Sequence, residues 1–275
     1  MDSLIPTVEE LLRHVAEQEV MTRFGRLGEN DVRRKGEHGD LVTAADLEAE
    51  NRIREGLLHL LPNSTVIGEE GCYKNPEILD KLNGKAPVWV VDPVDGTRNF
   101  AHGKPCFAVM CALIEGGETQ MGWILDPISG ACATAQKGRG AFVAGQKMTI
   151  DAPAERRQML GSVGERIQTR LKAQHKAGDA NAPERYVRYH CVGREYMDLA
   201  LGKIHFALYG GKLMPWDHAA GTLLVSEAGG YARTIEGKKA YSAIAHGPGG
   251  KQGERLLIAP NAETFDALCP LFNKG

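Results

Sequence analysis

The chain contains no apolar stretch approaching the ~20 residues needed to span a membrane as a helix. It also lacks a secretory leader pattern. The apolar residues near its start alternate with Glu9, Glu10, Arg13 and Glu17 at helical spacing instead of forming an uninterrupted run. There is no C-x-x-C pair. The six cysteines (Cys72, Cys106, Cys111, Cys132, Cys191 and Cys269) are scattered, which excludes the common zinc and dithiol spacings. Cys106, Cys111 and Cys132 sit in apolar, strand-like runs and are expected to be buried thiols, so a reducing, cytoplasmic setting is the expectation. No excess of one charge exists. Thirty-three Lys and Arg face 35 Asp and Glu, a formal net charge of −2, so no global field favours a nucleic acid. No G-x-x-x-x-G-K-[ST] loop is present. The Gly-rich segment Gly247-Pro248-Gly249-Gly250 lacks the Lys-Ser/Thr ending, which argues against a P-loop kinase. No internal repeat is visible.

A chain of 275 residues with 43% hydrophobic composition can bury a full core. The periodicity predicts amphipathic helices over 6–24 (Val8, Leu11, Leu12, Val15 and Val20 on one face) and over 43–61, the second stopping at Pro62-Asn63. Residues 29–39 are polar and basic, a loop or hairpin. Strands are predicted over 65–67, 88–91, 107–114, 120–125 and 131–134, with a hairpin turn at Gly116-Gly117. Residues 137–155 are expected to be a hinge. Beyond them strands (160–163, 186–188, 205–208, 256–259) alternate with helices (195–201, 218–228, 262–272), and 170–184 is expected to be an exposed loop or frayed helix. The class is therefore α/β: α+β in the N-terminal half and α/β in the C-terminal half. One domain over 1–275 is expected, with lobes of about 1–145 and 146–275.

The most informative segment is Trp89 to Phe100. An apolar run ends at Asp92, Asp95 follows, and Gly96-Thr97 then offers turn amides. Asp-Pro and Asp-Gly are ordinary turn dipeptides, so alone this could be a solvated turn. Two further acidic sites change the balance. Ile67-Gly68-Glu69-Glu70-Gly71 is again an apolar run ending in acids, and Pro215-Trp216-Asp217-His218 places an acid at the start of an Ala- and Leu-rich helix. Each has a plain structural alternative, a solvated strand end or a helix cap. Together they describe carboxylates that collect a hard cation beside amides that hold a phosphate.

These motifs resemble the inositol monophosphatase family of Mg²⁺-dependent, lithium-sensitive phosphatases. The family's GEE, DPIDGT and WDxAAG motifs correspond here to Gly68-Glu69-Glu70, Asp92-Pro93-Val94-Asp95-Gly96-Thr97 and Trp216-Asp217-His218-Ala219-Ala220-Gly221. Lys35 and Asp40-Leu41-Val42-Thr43-Ala44-Ala45-Asp46 match its upstream segment, and the resemblance covers roughly residues 8 to 260. It implies a layered αβαβα sandwich and a homodimer. It also implies two or three Mg²⁺ ions, with Glu69, Asp92 and the Val94 carbonyl at the first and Asp92, Asp95 and Asp217 at the second. By the same resemblance Thr97 and Asp46 orient the attacking water with help from Glu69, while Asp95 and the amides of Gly96 and Thr97 contact the substrate. The implied substrate is a small phosphorylated metabolite, with no nucleic acid or membrane partner.

The chain departs from the family where the leaving group is held. The family's hydroxyl-binding Glu shortly before Trp-Asp is missing, with Gly210, Gly211 and Lys212 in its place, and Arg194 follows Gly193 where small residues are usual. Arg194 and Lys212 are either surface charges or contacts to an anionic leaving group. Inositol 1-phosphate, sugar bisphosphates such as fructose 1,6-bisphosphate, 3′-phosphoadenosine phosphates and histidinol phosphate all remain open. A regulatory binding protein on the same fold is the alternative of another class, against which the intact set of acids argues.

Overall fold

The computed structural model describes residues 3–28, 31–35, 40–153, 155–176, 182–246 and 253–273. Helix α1 (Leu4–Val15) buries Val8, Leu12 and Val15 and continues as a π-helix over Ala16–Met21, so the expected first helix changes its winding near its end. Strands β1 (Val32–Lys35) and β2 (Asp40–Thr43) pair antiparallel, which selects the hairpin over the loop; residues 36–39 lie outside the description. Helix α2 (Ala44–Leu60) opens with a capping box in which Thr43 and Asp46 satisfy each other's backbone and side chain.

Next come β3 (Thr65–Gly68), the short helix α3 (Glu69–Lys74), a 3₁₀ segment over Pro76–Asn83, and β4 (Val88–Asp95). The one-turn helix α4 (Thr97–Ala101) precedes β5 (Ala108–Glu115), β6 (Glu118–Leu125), β7 (Cys132–Gln136), β8 (Gly140–Val143) and β9 (Gln146–Lys147). These strands form one seven-stranded sheet in the order β3-β4-β5-β6-β7-β8-β9. The expectation of a hinge over 137–155 is therefore corrected. The glycines there make turns, and β8 and β9 extend the first sheet.

The second half comprises β10 (Leu160–Ser162), α5 (Glu165–Lys176), β11 (Arg185–Val187), α6 (Val192–Ala200), β12 (Phe206–Tyr209), α7 (Pro215–Glu227), β13 (Tyr231–Thr234), β14 (Leu256–Ala259) and α8 (Ala262–Asn273). The five strands order as β11-β10-β12-β14-β13. Helix α5 replaces the loop expected at the start of 170–184; residues 177–181 of that segment, and Gly247 to Gly250, lie outside the described residues. Strand β13 escaped the sequence pattern because Tyr231-Ala232-Arg233-Thr234 has no apolar run.

Three buried clusters define the layers. α1 and α2 cover one face of the first sheet through Leu12, Ile53, Trp89 and Trp123. α6 and α7 fill the space between the sheets through Tyr196, Leu199, Ala220 and Leu224. α5 and α8 cover the outer face of the second sheet through Leu171, Phe206, Phe265 and Leu268. The architecture is mixed α/β, in five layers of helix, sheet, helix, sheet and helix. No described helix is long and apolar enough to cross a membrane.

Candidate active site

Strand β4 is buried along its whole length between β3 and β5, and its end is deformed. Asp92 pairs with Met110 and Asp95 with Ala108, so β4 carries one residue more than β5 across this interval. This is a β-bulge, and Pro93, which has no N–H to contribute to the ladder, sits inside it. The bulge turns the Val94 amide onto Asp92 Oδ1 at 3.0 Å and presents both aspartates to one cavity. Gly96 ends the strand at φ 87°, a left-handed conformation that a side chain would strain, and a Cβ there would come within 3.0 Å of the Cys106 carbonyl.

Asp95 is fixed from the other half of the chain. The opening amides of α6 donate to it, Val192 N–H to Oδ1 at 3.1 Å and Gly193 N–H to Oδ2 at 2.6 Å, and the Cys191 thiol adds a contact at 3.0 Å. Gly193 permits this approach, because a Cβ would meet Met110 and Ala108 at 2.9 Å. Asp217 lies in the first turn of α7, behind Pro215. Glu69 is the first residue of α3. That helix start is capped by Glu50 of α2, which accepts from the amides of Glu70 at 2.7 Å and Gly71 at 2.8 Å.

Glu69, Asp92, Asp95 and Asp217, with Val94, line one cavity of about 360 Å³. Burial, then the charge of Glu69 and of the neighbouring aspartates, raises Asp92 and Asp217 well above the usual carboxylate range. Asp95 is raised by burial too, against the opposing hydrogen bonds from Cys191, Gly193 and Val192. Lys35 is the local counter-charge, 2.7 Å from Glu69 and also bonded to Glu70. Burial works against its ammonium, yet the two carboxylates prevail and hold it above its ordinary value. Among the described residues no three side chains already converge as a ligand cage. Carboxylates sharing one cavity repel one another and spread. The donor chemistry, four carboxylates and a backbone carbonyl, suits a hard divalent cation that keeps several waters.

Thr97 stands beside this set. Its hydroxyl is 2.9 Å from the Val94 carbonyl and 3.1 Å from Asp46 Oδ1. Asp46 accepts from the Thr43 amide at 2.8 Å and the Thr43 hydroxyl at 2.5 Å, and burial pushes its carboxyl up to about 6. It touches Thr97 from behind and is not part of the cavity wall.

The sequence pattern of the inositol monophosphatase family matches residues 1–273. The chain belongs to the inositol monophosphatase family. It is 30% identical over 241 residues to the fructose-1,6-bisphosphatase/inositol-1-monophosphatase of Thermotoga maritima, covering 84% of each protein. It is 32% identical to the histidinol-phosphatase of Chlorobaculum parvum, covering 84% of this chain and 83% of that protein. The solved inositol monophosphatase of T. maritima superposes with a TM-score of 0.81 at 26% identity, covering 100% of this chain and 98% of that one. Proteins of the inositol monophosphatase family are metal-dependent phosphoric monoester hydrolases.

Within this inositol monophosphatase family frame, two residues expected at the leaving group lie elsewhere. Arg194 points away from the cavity and pairs with Asp126 at 2.6 Å, and Lys212 is exposed and outside the cavity wall. Arg194 is the second residue after the Cys191-Val192 helix start, so the side chain one position on, Glu195, faces the cavity instead. Glu195 accepts from the Ser162 hydroxyl at 2.5 Å and the Tyr189 amide at 3.3 Å, with the Tyr209 ring on the same wall. Sequence reasoning missed Glu195 and Glu50. Glu50 was legible only as the i+4 neighbour of Asp46 on α2, and Glu195 had no signal beyond following an unexpected Arg.

Proposed function

We propose that this chain hydrolyses a small phosphate monoester with Mg²⁺, Glu69, Asp92, Asp95, Asp217 and the Val94 carbonyl supplying the oxygen donors for two or three ions. The observation that carries this reading is the meeting of four carboxylates from β4, α3 and α7 in one cavity beside the Thr97–Asp46 pair. Bound Mg²⁺ lowers the pKa of a coordinated water and offsets the charge of the phosphoryl and leaving oxygens.

The protein groups do the positioning. Thr97 donates its proton toward Asp46 or the Val94 carbonyl, which leaves its oxygen lone pairs to accept from the attacking water. Asp46 holds that hydroxyl in place, and Glu69 assists from across the cavity. The amides of Gly96 and Thr97 serve phosphate oxygens. Asp95 keeps its orientation through three donors on α6, so the second half of the chain controls a ligand of the first. On the leaving-group side the carboxylate of Glu195 supplies an acceptor for alcohol hydroxyls, which supports an inositol-like or other polyhydroxylated leaving group. We further propose that the protein works as a homodimer, as its size in solution would show.

The test is phosphate release with and without Mg²⁺ on inositol 1-phosphate, histidinol phosphate, fructose 1,6-bisphosphate and adenosine 3′,5′-bisphosphate. Mg²⁺-dependent release from at least one is expected. Silence on all four, with folded protein and saturating Mg²⁺, refutes a monoesterase of this kind.

A further inference from the structure

A second and larger cavity, of about 1030 Å³, opens beside the carboxylate cavity. The two share a wall made by Arg98, Arg188 and His190. The larger one is markedly basic. Arg98, Lys104, Arg166, Arg170, Arg188 and Arg255 line it, and Glu165 is the one carboxylate in its wall. That is six cations to one anion in a protein whose net charge is −2.

Two of these cations have structural partners. Arg170 donates to the Leu271 carbonyl at 2.9 Å, and Arg255 pairs with Glu236 at 2.6 Å and bonds the Phe272 carbonyl at 2.6 Å. The other four, Arg98, Lys104, Arg166 and Arg188, make no ion pair with any described residue. Arg188 is steered by His190, whose Nδ1 lies 3.3 Å from its Nε. His190 itself adopts φ 54°, an unusual backbone conformation for a residue other than glycine, at the junction of the two cavities. Burial, then the charges of Arg188 and Arg98, hold His190 below its ordinary value even though Glu165 acts the other way. The local potential is therefore positive. Four like charges held around one cavity repel one another, and an anion seated among them relieves that repulsion. Arginine forks match phosphate oxygens in particular.

We propose that the basic cavity seats a second phosphate carried by the leaving group, so that the preferred substrates are bisphosphorylated metabolites. The inference rests on the phosphatase reading above and deepens it. The scissile phosphate lies at Asp92, Gly96 and Thr97, and the leaving alcohol passes Glu195. Its remaining phosphate rests between Arg188 on the shared wall and Arg166 on α5. Water adds its oxygen to the scissile phosphorus, the ester P–O bond breaks, the alcohol takes up a proton, and the second phosphate leaves still attached. The charge that the sequence suggested at Arg194 and Lys212 is thus supplied from α4, α5 and the segment after β11.

The experiment compares two matched pairs that differ by one phosphate: fructose 1,6-bisphosphate against fructose 1-phosphate, and adenosine 3′,5′-bisphosphate against adenosine 3′-phosphate. The wild-type protein is expected to prefer the bisphosphate of at least one pair by about tenfold or more in kcat/KM, the size of one or two charge-assisted contacts. The pair that shows the preference tells sugar from nucleotide. Arg166→Ala should reduce that preference about tenfold, chiefly through KM, Arg166→Lys should restore part of it, and added salt should compress it. Equal use of both members of both pairs overturns the proposal, as does an Arg166→Ala variant that slows both members equally. So does a variant that changes only the subunit assembly, because the cavity is then a contact between copies. If no substrate is hydrolysed, the phosphatase reading fails by itself. Calorimetric binding of adenosine 3′,5′-bisphosphate against adenosine 3′-phosphate then still decides the cavity: tighter binding of the bisphosphate, lost in Arg166→Ala, upholds it, and equal binding overturns it.

Discussion

Arg194 Nη1 lies 2.6 Å from Asp126 Oδ2, tying the start of α6 to the loop after β6. Asp126 is 2% exposed and also accepts from the Ile128 amide at 3.0 Å and the Ser129 hydroxyl at 2.5 Å. The arginine thus neutralises a buried carboxylate and steadies the helix whose amides hold Asp95. Arg194→Ala leaves that carboxylate without its counter-charge and should destabilise the fold by about 1–3 kcal/mol. Thermal melting measures this. The ratio of rates on mono- and bisphosphate substrates should stay as in the wild type; a changed ratio at wild-type stability would return Arg194 to the leaving-group site.

Asp92 faces Glu69, Asp95 and Asp217 together, so it is the residue through which the donor set is joined. Asp92→Asn keeps the shape and removes the charge. Mg²⁺-dependent turnover should fall by about 10² or more, and the Mg²⁺ concentration for half-maximal rate should rise. Retention of more than about a tenth of the wild-type kcat at saturating Mg²⁺ removes Asp92 from the donor set.

Asp46 gives a pH signature of stability in metal-free buffer. Its folded carboxyl titrates near 6, against the ordinary 3.8, because burial disfavours the charge. Between these values the folded protein holds a proton that the unfolded chain has released, so stability falls as pH rises through the window. The penalty is absent below about pH 3.8 and complete above about pH 6. A shift of this size corresponds to a change on the order of 3 kcal/mol. Asp46→Asn lacks the titration. The stability gap between variant and wild type should move in the variant's favour from pH 4.5 to pH 7 by urea unfolding, and parallel curves would rule out a raised Asp46.

Lithium tests the second ion position. Asp92, Asp95 and Asp217 meet in one cavity with Asp95 locked onto α6. Millimolar-range Li⁺ should inhibit Mg²⁺-dependent turnover uncompetitively. Gly193→Ala pushes a Cβ against Met110 and Ala108 and displaces the amide from Asp95, so in that variant inhibition should weaken together with kcat. Full Li⁺ sensitivity in the variant would show that Asp95 needs no help from α6.

The local chemistry of the site was legible in the sequence for a physical reason. Asp92 to Thr97 are consecutive, and an apolar strand that ends in Asp-Pro forces a deformed edge whatever surrounds it. Asp217 behind Pro215 follows in the same way from helix-start chemistry, and the apolar periods announced α1, α2 and most strands of the first sheet. Residues 137–155 failed because glycines that turn between strands look like glycines that free a linker, and only the pairing of β8 with β7 tells them apart.

What the sequence by itself determined is which acids exist, which of them end a strand or start a helix, and the family to which the chain belongs. Which charges share a cavity was decided by the packing of the two sheets around α6 and α7. A helix turns its residues about 100° apart. One position therefore separates Arg194, which reaches Asp126, from Glu195, which faces the site. No local pattern fixes that rotation, because it depends on Ala108 and Met110 of the other sheet pressing on Gly193. Arg98 and Arg188 stand 90 positions apart in the chain and meet on one wall for the same reason: the helices between the sheets bring the end of β4 against the end of β11, and distance along the sequence carries no record of it.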